Sequence, residues 1–247
     1  MGLRQASSAG GDLIGLRVPT VKYIADDSYS TTSAASAYVE IKKRILNNEY
    51  GAGTTVSFQD LSQLLGMSRT PIRDALIRLG KEGLVELAPR QGFRVLPLSP
   101  QDMLEIYQIL AGLESVAIHI LVERGLDHDA AARLLSPVLA MEAALETQDL
   151  DSWAAADAAF HRTLVGLTRN TRLSQTVDQF CDQTIRARLL TLRLRPLPAQ
   201  STTSHRRLAE AIIARNMAEA QSIHMDQRNR SGRELVEILG RLNIRHL

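Results

Sequence analysis

The sequence predicts a mostly α chain built as two unlike modules. The first is a small helical module that ends in a β-hairpin; the second is an all-α bundle of about six helices. Three observations carry this. Apolar residues recur at three- and four-residue spacing from residue 34 onward. Two short strand-like runs, 84–88 and 93–98, flank a turn at Pro89, Arg90, Gln91 and Gly92. After Pro97 and Pro100 no strand-like alternation appears.

Residues 1–30 are small and polar without a sustained period, and are expected to form a disordered tail with a short ordered piece near 18–24. From Ala34, the residues Tyr38, Ile41, Ile45 and Leu46 mark one face of a first helix, which Asn47, Asn48, Gly51 and Gly53 end. Ser57 suits the N-cap of a short second helix carrying Leu61, Leu64 and Leu65. Gly66 then turns the chain. Ser68 suits the cap of a third helix, whose early Pro71 costs nothing because the first helical N–H groups lack partners. Ile72, Ala75, Leu76 and Leu79 form its apolar face, and Gly83 stops it. Helices follow at 101–123, at 127–147 behind Asp127, to about 168 behind Asp149 or Asp151, at 173–193, at about 203–215 and at 217–242. Some 145 residues in this half are ample for a core of their own.

The order helix, helix, glycine turn, helix, hairpin is that of a winged helix-turn-helix. Its second motif helix opens with Ser68, Arg69, Thr70 and Arg73, the residue types that reach phosphates and guanine edges from a helix N-terminus. Arg69 and Arg73 are one turn apart and share a face.

Composition agrees with two globular modules and excludes several classes. The chain has 247 residues, 45% hydrophobic and 23% charged, which is neither fibrous nor disordered. No uninterrupted apolar run approaches the roughly 18 residues of a membrane span. Cys181 stands alone, so neither an intrachain disulfide nor a multi-cysteine zinc site is available. The first 30 residues lack a signal-peptide core. A cytoplasmic protein with no membrane partner is expected. Charge is divided unevenly: residues 31–97 hold nine Lys/Arg against six Asp/Glu, whereas 101–180 hold five against twelve. That balance gives the anionic partner to the first module.

The run LSQLLGMSRTPIRDALIRLGKEGLVELAPRQGFRV, residues 61–95, resembles the DNA-binding head of the GntR family of bacterial transcription regulators. The helical half resembles the effector (FCD) domain of the FadR-type subfamily. Leu110 to Glu114, the run from Asp157 through Phe160 to His161, and His205 carry that likeness. The resemblance covers roughly residues 34–240. It implies a tail at 1–30, a DNA-binding head at 31–97 and a helical domain at 98–247. It further implies a homodimer on a short palindrome of double-stranded DNA, controlled by a small-molecule effector, most simply an organic acid, and acting as a repressor. On this likeness Ser68, Arg69, Thr70 and Arg73 contact DNA, and Gln91 and Gly92 bring the wing toward the minor groove. Gln59 stands where a basic residue holds the backbone in some relatives, so its contact is a neutral hydrogen bond.

Asp157 and His161 lie four apart on one helix and project together, a pairing that suits a divalent transition metal such as zinc. Without metal, His161 and His205 read as hydrogen-bonded core residues, and His224 reads as an exposed helix residue near Arg228. In metal-binding members of the subfamily two further histidines converge there. One matches His205. At the other this chain has Gln227, with His224 one turn earlier, so the fourth ligand is Gln227 or His224. Leu110 occupies an effector-pocket position where many relatives carry an arginine. Its loss leaves Arg162, Arg186 or Arg188 to supply the charge, or else implies a larger, more apolar effector. A metal-dependent enzyme using Asp157, His161 and His205 is the reading from another class. Against it, no separate nucleophile or phosphate loop is present.

Overall fold

The computed structural model describes residues 32–88, 92–97 and 99–241. The expected tail, its short piece at 18–24, and Arg90 and Gln91 of the wing lie outside the described residues.

The head begins with α1 (Ser33–Leu46), capped by the Thr32 hydroxyl. A short strand β1 (Thr55–Ser57) leads into α2 (Phe58–Leu65), whose N-cap Ser57 accepts from the Asp60 amide. Gly66 takes φ 63° and reverses the chain into α3 (Arg69–Lys81). Ser68 holds the N-cap backbone position, yet its hydroxyl makes no capping bond. Strands β2 (Val85–Ala88) and β3 (Gly92–Val95) complete an antiparallel sheet ordered β1-β3-β2, with Phe93 opposite both Val56 and Leu87. The two expected strands are therefore present, each shorter than its apolar run. β1 escaped the sequence reading because three residues with one buried side chain, Val56, carry no alternation to detect.

Gly92 secures this sheet. Its φ is +133°, and a Cβ there would stand 1.9 Å from the Val56 carbonyl oxygen. Phe93, Ile41, Ile45, Ile72, Leu76 and Leu79 fill the head's core with essentially no exposure.

The second half is helical throughout: α4 (Pro100–Arg124), α5 (His128–Glu146), α6 (Leu150–Gly166), α7 (Thr171–Leu192), α8 (Ala199–Ile213) and α9 (Met217–Arg241). Ser99 and Asp102 close α4 with a reciprocal capping box. Asp127 caps α5, and Asp149 rather than Asp151 caps α6. α8 starts directly behind Pro198, four residues earlier than its apolar periodicity suggests. Among the described residues α4 is the one helix long and apolar enough, by length and composition, to cross a membrane. A search for uninterrupted apolar runs misses it because polar residues such as Glu114 break the run without lowering the mean hydropathy far. Half of that window is buried inside the bundle.

The two cores meet at one helix. Ile185 of α7 is buried in the head's apolar cluster, and Leu189, one turn on, packs against both clusters.

A Gly92→Ala substitution tests the sheet. It is expected to destabilise the protein by at least about 2 kcal/mol in urea unfolding, since it meets both a forbidden φ and backbone contact. Unchanged stability would contradict this packing.

Candidate functional site

The head presents the residues expected at DNA on its surface. Ser68, Arg69, Thr70 and Arg73 of the α3 N-terminal turns are exposed, as is Gln59 on α2. Neither Arg69 nor Arg73 forms an ion pair among the described residues, so both guanidinium groups remain available to an anion. The head's other described arginines at this end of the chain are engaged. Arg78 pairs with Glu82 at 3.2 Å and lies 3.7 Å over the Tyr38 ring; Arg94 pairs with Glu86 at 2.7 Å. Gly92 is buried against β1, so its need for glycine is met inside the head.

The helical domain encloses a cavity of about 380 Å³ between α6, α7, α8 and α9. One wall is apolar, with Trp153, Leu189, Leu192 and Leu197. The other carries Asp157, His161, Arg188 and Arg228, with Arg162 at the lip. α7 settles a choice that periodicity left open. Arg188 faces the cavity against Asp157 Oδ2, whereas Arg186 turns away and donates to the Leu96 carbonyl of the interdomain linker at 3.2 Å. Leu110 does not reach the cavity. It is 1% exposed in the apolar core. The cation missing from α4 comes instead from α9. Arg228 grips Glu114 through two nitrogens, one of them Nε at 2.7 Å from Oε2. The sequence reading places His224 on an exposed helix face near Arg228 and gives Arg228 no role; both are buried, because Glu114 draws them inward.

Behind the polar wall the hydrogen bonds fix the imidazoles. An Arg228 N–H donates to His161 Nδ1 at 2.9 Å. His205 Nδ1 lies 2.8 Å from the Ser201 carbonyl, which can only accept, so that nitrogen carries the proton. His161 Nε2 then donates to His205 Nε2 at 3.2 Å. Both rings are neutral. Burial first, then the Arg228 charge, lowers His161; burial, then His161, holds His205 well below the ordinary histidine range. Asp157 Oδ1 is 3.4 Å from His205 Nε2 and 3.9 Å from His161 Nε2.

This arrangement fits a metal ion. One ligand atom from each of Asp157, His161 and His205 lies within 4.8 Å of the others, all three buried. His205 already holds its Nδ1 proton on the Ser201 carbonyl, which leaves Nε2 for an ion; His161 would carry its proton on Nδ1 instead, 3.2 Å from Glu114 Oε1, in place of the Arg228 bond. Gln227 reaches the same cluster. Its amide nitrogen is 2.9 Å from His205 Nε2, and its buried Oε1 has no hydrogen-bond partner among the described residues. Turning the amide over would offer that oxygen as a fourth, neutral donor. His224 points elsewhere, to the Ala111 carbonyl at 3.3 Å and Glu114 at 3.6 Å.

Comparison with known proteins follows the same division. Residues 33–95 match the family of bacterial regulatory proteins of the gntR type, and residues 105–227 match the FCD domain. An HTH-type transcriptional regulator in the TAR-I ttuE-ttuC' intergenic region of Agrobacterium vitis is 39% identical over 145 residues, 58% of this chain and 85% of that protein. The gluconate operon transcriptional repressor of Bacillus subtilis (strain 168) is 30% identical over 139 residues, 56% of each. The solved structure of E. coli McbR/YncC superposes with a TM-score of 0.72 at 21% identity, covering 84% of this chain and 98% of that one, a likeness of fold. The matched proteins are regulators, which sets aside the metal-dependent enzyme.

Two measurements check the buried cluster. Arg228→Met is expected to cost about 3–5 kcal/mol, because it leaves Glu114 buried and unpaired; adding Glu114→Gln restores most of the loss. Additive damage in the double variant would contradict the pairing. The second concerns pH. Burial, opposed by Glu114 and aided by Arg228, pulls His224 from 6.5 to about 4. The unfolded chain thus binds a proton that the folded chain refuses. The stability it contributes is complete above pH 6.5 and falls as pH drops toward 4. His224→Gln is expected to reduce the loss between pH 7 and 4.5 by about 2 kcal/mol. An unaltered slope would contradict it.

Proposed function

The chain belongs to the gntR family of bacterial regulatory proteins and carries an FCD domain, and from that premise we propose that it is a cytoplasmic repressor. It binds a short palindromic operator as a homodimer and releases it when an organic acid enters the cavity. The observation that carries this reading is a cationic group at each end: Arg69 and Arg73 on the exposed α3, without an ion pair among the described residues, and Arg188 in the cavity wall, where Asp157 holds it. The working division is a head at 31–97 and a helical domain at 98–247.

In the head, Arg69 and Arg73 read guanine edges while Ser68, Thr70 and Gln59 hold phosphates. Gln91 and Gly92 bring the wing to the minor groove. Two half-sites require two heads. The outward face of α4 supports a second copy there, since Ile109 is 42% and Val116 48% exposed, and Met225 of α9, also exposed, meets Ser115 of α4.

In the helical domain, the effector's carboxylate pairs with Arg188, with Arg162 at the cavity mouth, and its body lies on Trp153 and Leu192. The name of the gluconate operon repressor ties one relative to the genes of an organic acid, which supports this class of effector. Asp157, His161 and His205 hold a divalent ion such as zinc, with Gln227 as the fourth donor. When bound, the ion supplies a Lewis-acidic anchor for the same carboxylate. His224 stays outside the ligand set.

Operator duplexes selected from a random library against the wild-type protein test the head. Arg69→Ala and Arg73→Ala are each expected to weaken binding at least about tenfold, with circular dichroism unchanged. Retained affinity in both would overturn the assignment. Elemental analysis of chelator-free protein tests the ion: near one metal per wild-type chain, lost in His205→Ala. Metal in neither protein would remove the ion from the proposal and leave the anion site on Arg188.

A further inference from the structure

α7 is the only helix of the bundle that contributes both a charged wall to the cavity and a buried side chain to the head's core, among the described residues. Its residues serve both sides, with Ile185 and Leu189 shared between them. One stripe, spaced three and four apart, holds Asp182, Ile185, Arg186 and Leu189. This stripe and its neighbours grip the head. Asp182 contacts Lys42 of α1, which also reaches Glu82 at 3.1 Å and the Tyr38 hydroxyl at 2.6 Å. Gln183 donates to the Glu82 carbonyl at 2.9 Å and Gln179 to the Lys81 carbonyl at 3.4 Å, both at the end of α3. Arg186 donates to Leu96 of the linker. The next face holds Arg188 and Leu192 in the cavity wall, which Ile185 and Leu189 also reach from the first stripe.

The grip has an opposing element. Arg186 is 3% exposed, yet its Nε and Nη2 make no hydrogen bond and no carboxylate pairs with it among the described residues. A buried guanidinium with one hydrogen bond is unfavourable, and hydration on undocking relieves it. The docked head is thus held by Lys42–Asp182 and the Ile185 and Leu189 contacts, and opposed by Arg186. Such a balance lets a small change at one end of a rigid helix move the equilibrium.

We propose that α7 is the coupling helix: Asp182, Gln183 and Arg186 position the DNA-binding head, and Arg188 ties that position to the state of the cavity. The Arg188–Asp157 pair holds α7 against α6 and keeps the head docked. An anion that draws Arg188 off Asp157 frees α7 to shift and loosens the head. This mechanism rests on the reading of the cavity as the effector site.

Hydrogen exchange on the full-length protein, without ligand, tests it. Asp182→Asn is expected to speed exchange across α1 and residues 78–84 by about threefold or more. The paired variant Asp157→Asn with Arg188→Met removes the cavity ion pair without leaving a lone buried charge. It is expected to speed the same head peptides although neither residue touches the head, and to add nothing on top of Asp182→Asn. Arg186→Leu is expected to slow them, because it removes the unpaired group. Head exchange unmoved by the cavity pair, independent multiplying effects, or faster exchange in Arg186→Leu would each overturn the proposal. None of these results depends on an effector, so a cavity that binds no anion is a separate failure, read by titrating carboxylates into the wild-type protein.

Discussion

A carboxylate with no solvent exposure, Glu114, sits at the centre of the helical domain, and the arrangement of the site follows from the need to neutralise it. Burial alone would raise its pKa; Arg228, then His161, outweighs burial and holds it well below the usual carboxylate range. Satisfying that charge joins α4 to α9, places Arg228 in the cavity wall, and turns His161 so that Nε2 faces Asp157 and His205. His224 closes the far side of the same carboxylate. Three imidazoles are kept neutral and fixed in orientation around one ion pair, a pre-arranged surface that a loose pocket could not supply.

The same logic, charges paired across helices, runs outward from Glu114. Asp157 is answered by Arg188 on α7, and Asp182 at the other end of α7 by Lys42 of the head. Lys42 serves Asp182, Glu82 and Asp178 together, and burial pushes the Asp182 carboxyl up to about 6 despite it. A helix carrying paired charges toward both modules ties them together. Apolar contact at Ile185 and Leu189 supplies the bulk of the junction, and the ion pairs set its register.

Much of this was legible in the sequence because the signals were local. Ser57, Gly66 and Ser68 announce the two helices of the DNA-binding motif. Asp127 and Asp149 announce two bundle helices, and Asp157 and His161 share a face by their spacing alone. The features that stayed hidden depend on distant partners. Arg228 meets Glu114 across 114 residues. Arg186 and Arg188 are two residues apart, hence nearly opposite on a helix, and only the packing of α7 decides which one enters the cavity. Leu110 is at the matching position for an effector arginine, yet it belongs to the core. Gln227 reaches His205 while His224, one turn away, does not, and no one-dimensional pattern separates them. β1 is three residues long and takes its place from β3 rather than from its own periodicity.

The central claim is that the polar end of the cavity is built to receive an anion through Arg188. Thermal unfolding of the wild-type protein across a panel of carboxylates of increasing apolar size, from acetate and gluconate to benzoate and decanoate, with Arg188→Met alongside, tests it most directly. The account predicts that at least one acid raises the unfolding temperature of the wild type and leaves Arg188→Met unmoved. No shift with any acid, or the same shift in both proteins, would contradict it.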